Sequence, residues 1–127
     1  EAWAQRSTNM ILEGAGLRHE DVDIFNPYDG HATFIPLYLE AMKYHGVGKG
    51  DATAFFNDDI SVEGPHPFTS GGGNLGNGRT RSAMYIDSIQ QLRGEAGKRQ
   101  VPNAKLGLTH VIGLGSACAI HILEKAA

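Results

Sequence analysis

The sequence predicts an α/β domain built on a mixed sheet. Two observations carry that reading. The stretches "KLGLTHVIG" and "SACAIHILEK" alternate apolar and other residues near the end of the chain, as "DVDIFNPYDG" does more briefly earlier on. Between them lie segments whose apolar residues recur at three- and four-residue steps, the spacing of a helix with one buried face.

In chain order, residues 2–14 place Trp3, Ala4, Met10, Ile11 and Leu12 among polar neighbours, a helical stripe closed by Gly14 and Gly16. Val22 and Ile24, set between aspartates, predict a strand ending at Pro27, with Tyr28-Asp29-Gly30 at its exit. In "HATFIPLYLEAMKYHG", Phe34, Leu37, Ala41 and Tyr44, with Tyr38, Met42 and His45, predict a largely buried helix stopped by Gly46 and Gly48. Pro36 fits such a helix only in its first turn. "VGKGDATAFFNDDISVEGPHP" has no clear period and reads as a surface segment. Tyr85, Ile86, Ile89 and Leu92 then mark an amphipathic helix from about Thr80 to Leu92, ended by Gly94. A polar connector leads to the two final alternating runs, read as an antiparallel hairpin joined through Gly113-Leu114-Gly115.

Composition narrows the function classes. The 127 residues suffice for one domain with a hydrophobic core, and the formal charge of −3 gives no electrostatic reason to expect nucleic acid or an anionic membrane. No apolar run approaches a membrane span, and no basic-then-apolar leader opens the chain. The single cysteine, Cys118, excludes an internal disulfide framework and fits the cytoplasm; inside an alternating strand it reads as a small buried hydrophobe. The six histidines show no metal-ligand spacing. Because Glu1 already stands in a helical pattern, a preceding segment is expected.

Gly71, Gly72, Gly73, Gly76 and Gly78 raise a sharper question. Gly71-x-Gly73-x-x-Gly76 satisfies a dinucleotide fingerprint, and "GNLGNGRT" is Walker-like with Arg79 where lysine belongs. Both mechanisms need a buried strand feeding straight into the loop, whereas "VEGPHPFTS" precedes it. Arginine also does not reproduce the compact ammonium between phosphates. Steric permissiveness, which lets backbone approach a neighbour closely, is the favoured reading.

Three stretches in order, "AGLRHEDVDIFNPYDGHATFI", "PFTSGGGNLGNGRTRSAMYIDSIQQLRGEAGKRQVPNAKLGL" and "HVIGLGSACAIHIL", resemble the C-terminal half of thiolase-superfamily proteins. The likeness is to the sterol-carrier-protein-type thiolases and lipid-transfer-protein-like acyl-CoA enzymes, and "QLRGEAGKRQVP" is specific to that branch. It implies a thiolase-like half with a mixed, roughly five-stranded sheet packed with helices. Residues 1–127 are then the C-terminal domain of a larger catalytic unit in lipid metabolism. It further implies a coenzyme A thioester as substrate and no covalently bound cofactor. The implied partner is an N-terminal half or second subunit in a homo- or hetero-oligomer, with a small OB-like protein as a further companion.

The same resemblance assigns candidate residues. The N-terminal half of such enzymes supplies the nucleophilic cysteine. Relatives that cleave acyl-CoAs by retro-aldol chemistry carry a similar "YDG", which implies proton handling by Tyr28, with His31 beside it. The Gly-His-Pro histidine position falls on Gly78 or Arg79; Arg79 stabilises negative charge on oxygen but is no base. The Cys-x-Gly motif falls on Val111-Ile112-Gly113, which leaves the Gly113 N–H as an oxyanion donor and no thiol. Retro-aldol or altered Claisen chemistry is therefore expected ahead of ordinary thiolysis, and a non-catalytic thiolase-like partner subunit is the alternative.

Overall fold

A computed structural model describes residues 2–77, 82–112 and 118–126. The opening stripe forms α1 (Ala2–Ala15). The aspartate-flanked run forms β1 (Ile24–Pro27), buried at every position. Helix α2 (Phe34–Met42) carries Pro36 in its first turn, where the missing N–H has no intrahelical partner to lose. It stops before the expected glycines: Lys43 takes a left-handed conformation, φ 50°, and donates its N–H to Leu39 O. The unpatterned segment includes one short helix, α3 (Ala52–Phe55). A further short helix, α4 (Gly73–Asn77), lies within the glycine-rich stretch, and α5 (Ala83–Arg93) ends at Gly94, φ 74°. The terminal hairpin comprises β2 (Leu106–Ile112) and β3 (Cys118–Glu124). Its expected turn at Gly113-Leu114-Gly115 lies outside the described residues.

The sheet order is β1-β2-β3, with β1 parallel to β2 and β2 antiparallel to β3. The parallel pair requires a crossover connection, and that connection carries α2 through α5. Alternation divides the sheet into two faces. Phe25, Leu106 and Leu108, with Ile120 and Ile122, pack against Leu12 of α1 and Tyr38, Leu39 and Met42 of α2. On the opposite face Ile24 and Leu123 meet Leu92 of α5, together with Val101 and Ala104. Helices therefore cover both faces, an α/β/α sandwich.

The five-stranded expectation is corrected to three strands among the described residues. The segment between α2 and α4 is rich in glycine, proline and aspartate, which break ladders and favour turns. Only Phe68 pairs with the sheet, as a single parallel bridge to Phe25. Nor does that segment lie wholly at the surface. Phe55 and Phe68 join Phe25 and Tyr44 in a cluster with ring centroids 5.1–6.4 Å apart, and the Tyr44 hydroxyl donates to Pro67 O at 2.7 Å. Burial pushes the Tyr44 phenol well above its ordinary value, so it acts as a donor throughout the working pH range.

Helix α5 corrects a second expectation. Its buried residues are Met84, Asp87, Ser88, Gln91 and Leu92, whereas Ile86 and Ile89 are 53% and 40% exposed. Half of the expected apolar stripe, Ile86 and Ile89, looks outward, and Asp87, Ser88 and Gln91 are buried beside Met84 and Leu92.

His110, on the α2 side of β2, is fully buried with its ring 4.2 Å from that of Tyr38. The register pairs His110 with Ile120 and Thr109 with His121, which sends the two imidazoles to opposite faces. His121 packs edge-on against Tyr85 of α5.

Burial lowers the His110 pKa to about 4. Between pH 6.5 and 4 the unfolded chain therefore binds a proton at this residue that the folded chain does not. Stability is complete above pH 6.5 and falls by about 3 kcal/mol as the pH drops to 4. His19 and His45, also lowered by burial, add smaller losses of the same sign. Urea denaturation across this range is expected to show a shallower pH slope for His110→Gln than for the unsubstituted chain; an unchanged slope refutes the assignment.

Candidate functional site

The topology gathers the sequence motifs at one rim of the sheet. Pro27, the last residue of β1, pairs with His110, so Tyr28 leaves β1 where β2 runs on through Val111 and Ile112. The Phe68 bridge is parallel to β1, and Thr69 N–H donates to Phe25 O at 3.0 Å, so the glycine-rich stretch departs at the same rim. The rim beyond the carboxyl ends of parallel strands is where open α/β sheets place ligands. Cys118 opens β3 in register with Ile112.

Two buried carboxylates hold the glycine-rich stretch there. Asp29, 4% exposed, accepts from Asn74 N–H at 2.6 Å, Asn74 Nδ2 at 2.9 Å and Leu75 N–H at 3.3 Å. A Cβ on Gly73, which already has φ 64°, would overlap the Asp29 carboxylate. Asp87 of α5, also 4% exposed, accepts from Ser70 Oγ at 2.5 Å and from Asn26 Nδ2 at 3.0 Å, and it pairs with Arg99. A Cβ on Gly71 would lie 2.9 Å from Asp87 Cγ. The glycines thus let backbone approach carboxylates of the same chain. Amide donors that a nucleotide phosphate would need at Asn74 and Leu75 are committed to Asp29.

The polar face of α5 extends this grip. Asn26 Nδ2 also donates to Ser88 Oγ at 2.9 Å, and Ser88 Oγ lies 2.8 Å from Thr109 Oγ1, which links β1, α5 and β2. Gln91 donates to Arg99 O at 2.6 Å and accepts from Val101 N–H at 2.7 Å, while Gln100 Nε2 donates to Gln91 O at 2.9 Å. "QLRGEAGKRQVP" is therefore a closed loop, in which Arg99, Gln100 and Val101 fold back onto the helix they follow. Arg99 Nη1 also donates to Ser70 O at 3.3 Å, so this loop and the glycine-rich stretch share an anchor.

Of the candidate residues, Tyr28 is 9% exposed, and its ring lies over Gly30, where a Cβ would overlap the phenol. His31 is exposed, with its ring edge-on to Phe34 at 5.2 Å. Arg79 and Gly113 lie outside the described residues, as do Gly78 and Gly115. His66 has its ring 4.3 Å from that of His45 and its Nε2 3.6 Å from Asp58. The sequence reading missed Asp29, Asn74, Asn26 and Asp87. A signal existed for Asp87: with Ser88 and Gln91 it forms a helical stripe of its own, outranked by the isoleucines of the opposite face.

Comparison with known proteins places this geometry among relatives. A family model described as thiolase C-terminal domain-like matches residues 1–125. Sterol carrier protein 2 of Oryctolagus cuniculus is 37% identical over 125 residues, covering 95% of this chain and 23% of that protein. An acetyl-CoA acetyltransferase of Methanothermobacter thermautotrophicus is 34% identical, covering 87% of this chain and 30% of its own length. A non-specific lipid-transfer protein-like 2 of Caenorhabditis elegans is 33% identical, with coverages of 89% and 28%. The chain thus spans between 23% and 30% of the length of these relatives.

Removing the Asp87 carboxylate strands the donors of Ser70, Asn26 and Arg99. Asp87→Ala is expected to cost about 2–4 kcal/mol in urea denaturation. Asp87→Asn, which keeps an acceptor, is expected to cost less; equal stability of all three proteins refutes the role of the network.

Proposed function

The chain belongs to the thiolase C-terminal domain-like family, and on that premise we propose that it is the C-terminal half of an acyl-CoA enzyme that cleaves a carbon–carbon bond by retro-aldol chemistry. The observation that carries the reading is the position of Tyr28, at the exit of β1 on the rim shared by the glycine-rich stretch and the end of β2. The name of the archaeal relative, an acetyl-CoA acetyltransferase, supports a coenzyme A thioester as substrate.

In this reading Tyr28 Oη accepts the proton of a β-hydroxyl group as its own phenolic proton passes to solvent at the rim. The Cα–Cβ bond breaks, the β-carbon leaves as an aldehyde or ketone, and the electron pair passes to the thioester as an enolate. Reprotonation at Cα releases the shortened acyl-CoA. Arg79 and the Gly113 N–H are assigned to the developing negative charge on the thioester oxygen, and His31, open to solvent, to proton exchange at the rim. The sequence favours this chemistry over thiolysis: the positions of the activating histidine and the second cysteine are filled by Gly78 or Arg79 and by Val111.

The outward face of α5 supports a companion half. Ile86 and Ile89 stand a helical turn apart and exposed, and the chain spans under a third of its relatives' length. An N-terminal thiolase half seated on these isoleucines would bury them. The same face accommodates the second reading, a non-catalytic thiolase-like subunit, which the Val111 replacement favours.

Incubation of the complete protein with β-hydroxyacyl-CoA should release an aldehyde or ketone without added coenzyme A. Tyr28→Phe is expected to lower kcat about 10²–10⁴-fold. Release that depends on free coenzyme A points to thiolysis, and absence of turnover to the non-catalytic subunit. With the two halves co-expressed as separate chains, Ile86→Asp combined with Ile89→Asp is expected to abolish co-elution in gel filtration; intact co-elution removes α5 from the interface.

A further inference from the structure

We infer that Asp29 is the positioning residue of this site: its buried carboxylate occupies the amide donors at the head of α4 and so sets the glycine-rich stretch against the strand exit that carries Tyr28. The inference rests on the functional reading above and deepens it. Three donors converge on one carboxylate: the backbone N–H groups of Asn74 and Leu75, and Asn74 Nδ2. Charge-assisted bonds of this kind are about twice as strong as neutral ones, and the two from Asn74 form away from competing water.

The surrounding chain is shaped to the carboxylate. Gly73 has no side chain where one would overlap Asp29, and its positive φ points the following amides inward. Asn74, 2% exposed, is held from its other side by Met84 of α5, with Nδ2 3.3 Å from Sδ. Asp29 directly follows Tyr28 in the chain. A shift of its carboxylate therefore moves the phenol relative to the rim, and a misplacement of about 1 Å costs on the order of 10²-fold in rate. The backbone N–H groups of Asn74 and Leu75 are filled by the protein itself, so the phosphates of the coenzyme A substrate must be met by other donors. Losing Asp29 accordingly falls on kcat and spares KM.

The test uses the complete protein and two independent readouts. Amide hydrogen exchange at Asn74 and Leu75 is expected to accelerate about tenfold or more in Asp29→Ala. Turnover of β-hydroxyacyl-CoA is expected to fall about 10²-fold in kcat, with KM within about threefold of the unsubstituted value. Asp29→Asn, which keeps the size and one acceptor oxygen, serves if the alanine variant does not fold. It should expose Leu75 N–H to exchange more than Asn74 N–H. Unchanged protection at both amides overturns the inference, as does a loss borne by KM with kcat intact, which would mean that the site binds substrate phosphate. If the unsubstituted protein turns over no acyl-CoA, the functional reading fails, while the exchange measurement still decides whether Asp29 clamps the stretch.

Discussion

The architecture depends on a buried charge. Asp87 lies under α5, away from water, and an ionised carboxylate there is tolerated only when its lone pairs are filled and its charge opposed. Ser70, Asn26 and Arg99 meet that requirement, and each comes from a different part of the chain: the glycine-rich stretch, the first strand and the connector after α5. Because a single carboxylate needs all three, these segments order together or not at all. The orientation of α5 follows: its polar stripe must face the sheet, and its isoleucines are left outside.

That inversion explains why the fold was legible in part. Alternation marked the strands although both faces are covered, because Asn26 and Thr109 face the polar stripe of α5 while Phe25 and Leu108 face α1 and α2. Proline and glycine fixed the start of α2 and the end of α5. Face assignment failed for α5 because periodicity measures apolarity, and here the buried stripe is held by hydrogen bonds. Ile86 and Ile89 gave the stronger apolar signal while facing outward. The segment holding Phe55 failed for another reason: that aromatic packs into a cluster with Phe25 of β1, Tyr44 and Phe68, beyond the reach of any local window.

The candidate site divides along a similar line. Tyr28 and His31 drew attention through the "YDG" resemblance, and Arg79 and Gly113 through motif position. The residues that hold the rim in shape, Asp29 and Asn74, lie inside the quoted motifs, but neither motif says that the two meet. Only their separation in the chain, closed by the parallel bridge at Phe68, brings them together. The glycine pattern illustrates the hazard of motif matching. Its spacing fits two phosphate fingerprints, yet two of its glycines are explained by the close approach of Asp29 and Asp87.

Both carboxylates grip the same short stretch, from opposite sides. Asp87 holds Ser70 and abuts Gly71 from the helix layer; Asp29 holds Asn74 and Leu75 from the end of the sheet. Glycine is needed at Gly71 and Gly73 for opposite contacts two residues apart, so neither carboxylate can relax without pulling the stretch across the other. A loop rich in glycine would ordinarily be the softest part of a domain. Here Ser70, Asn74 and Leu75 tie it to the layers that carry α5 and Tyr28. Rigidity of that kind holds the strand exit that carries Tyr28 and the glycine-rich stretch in one mutual geometry.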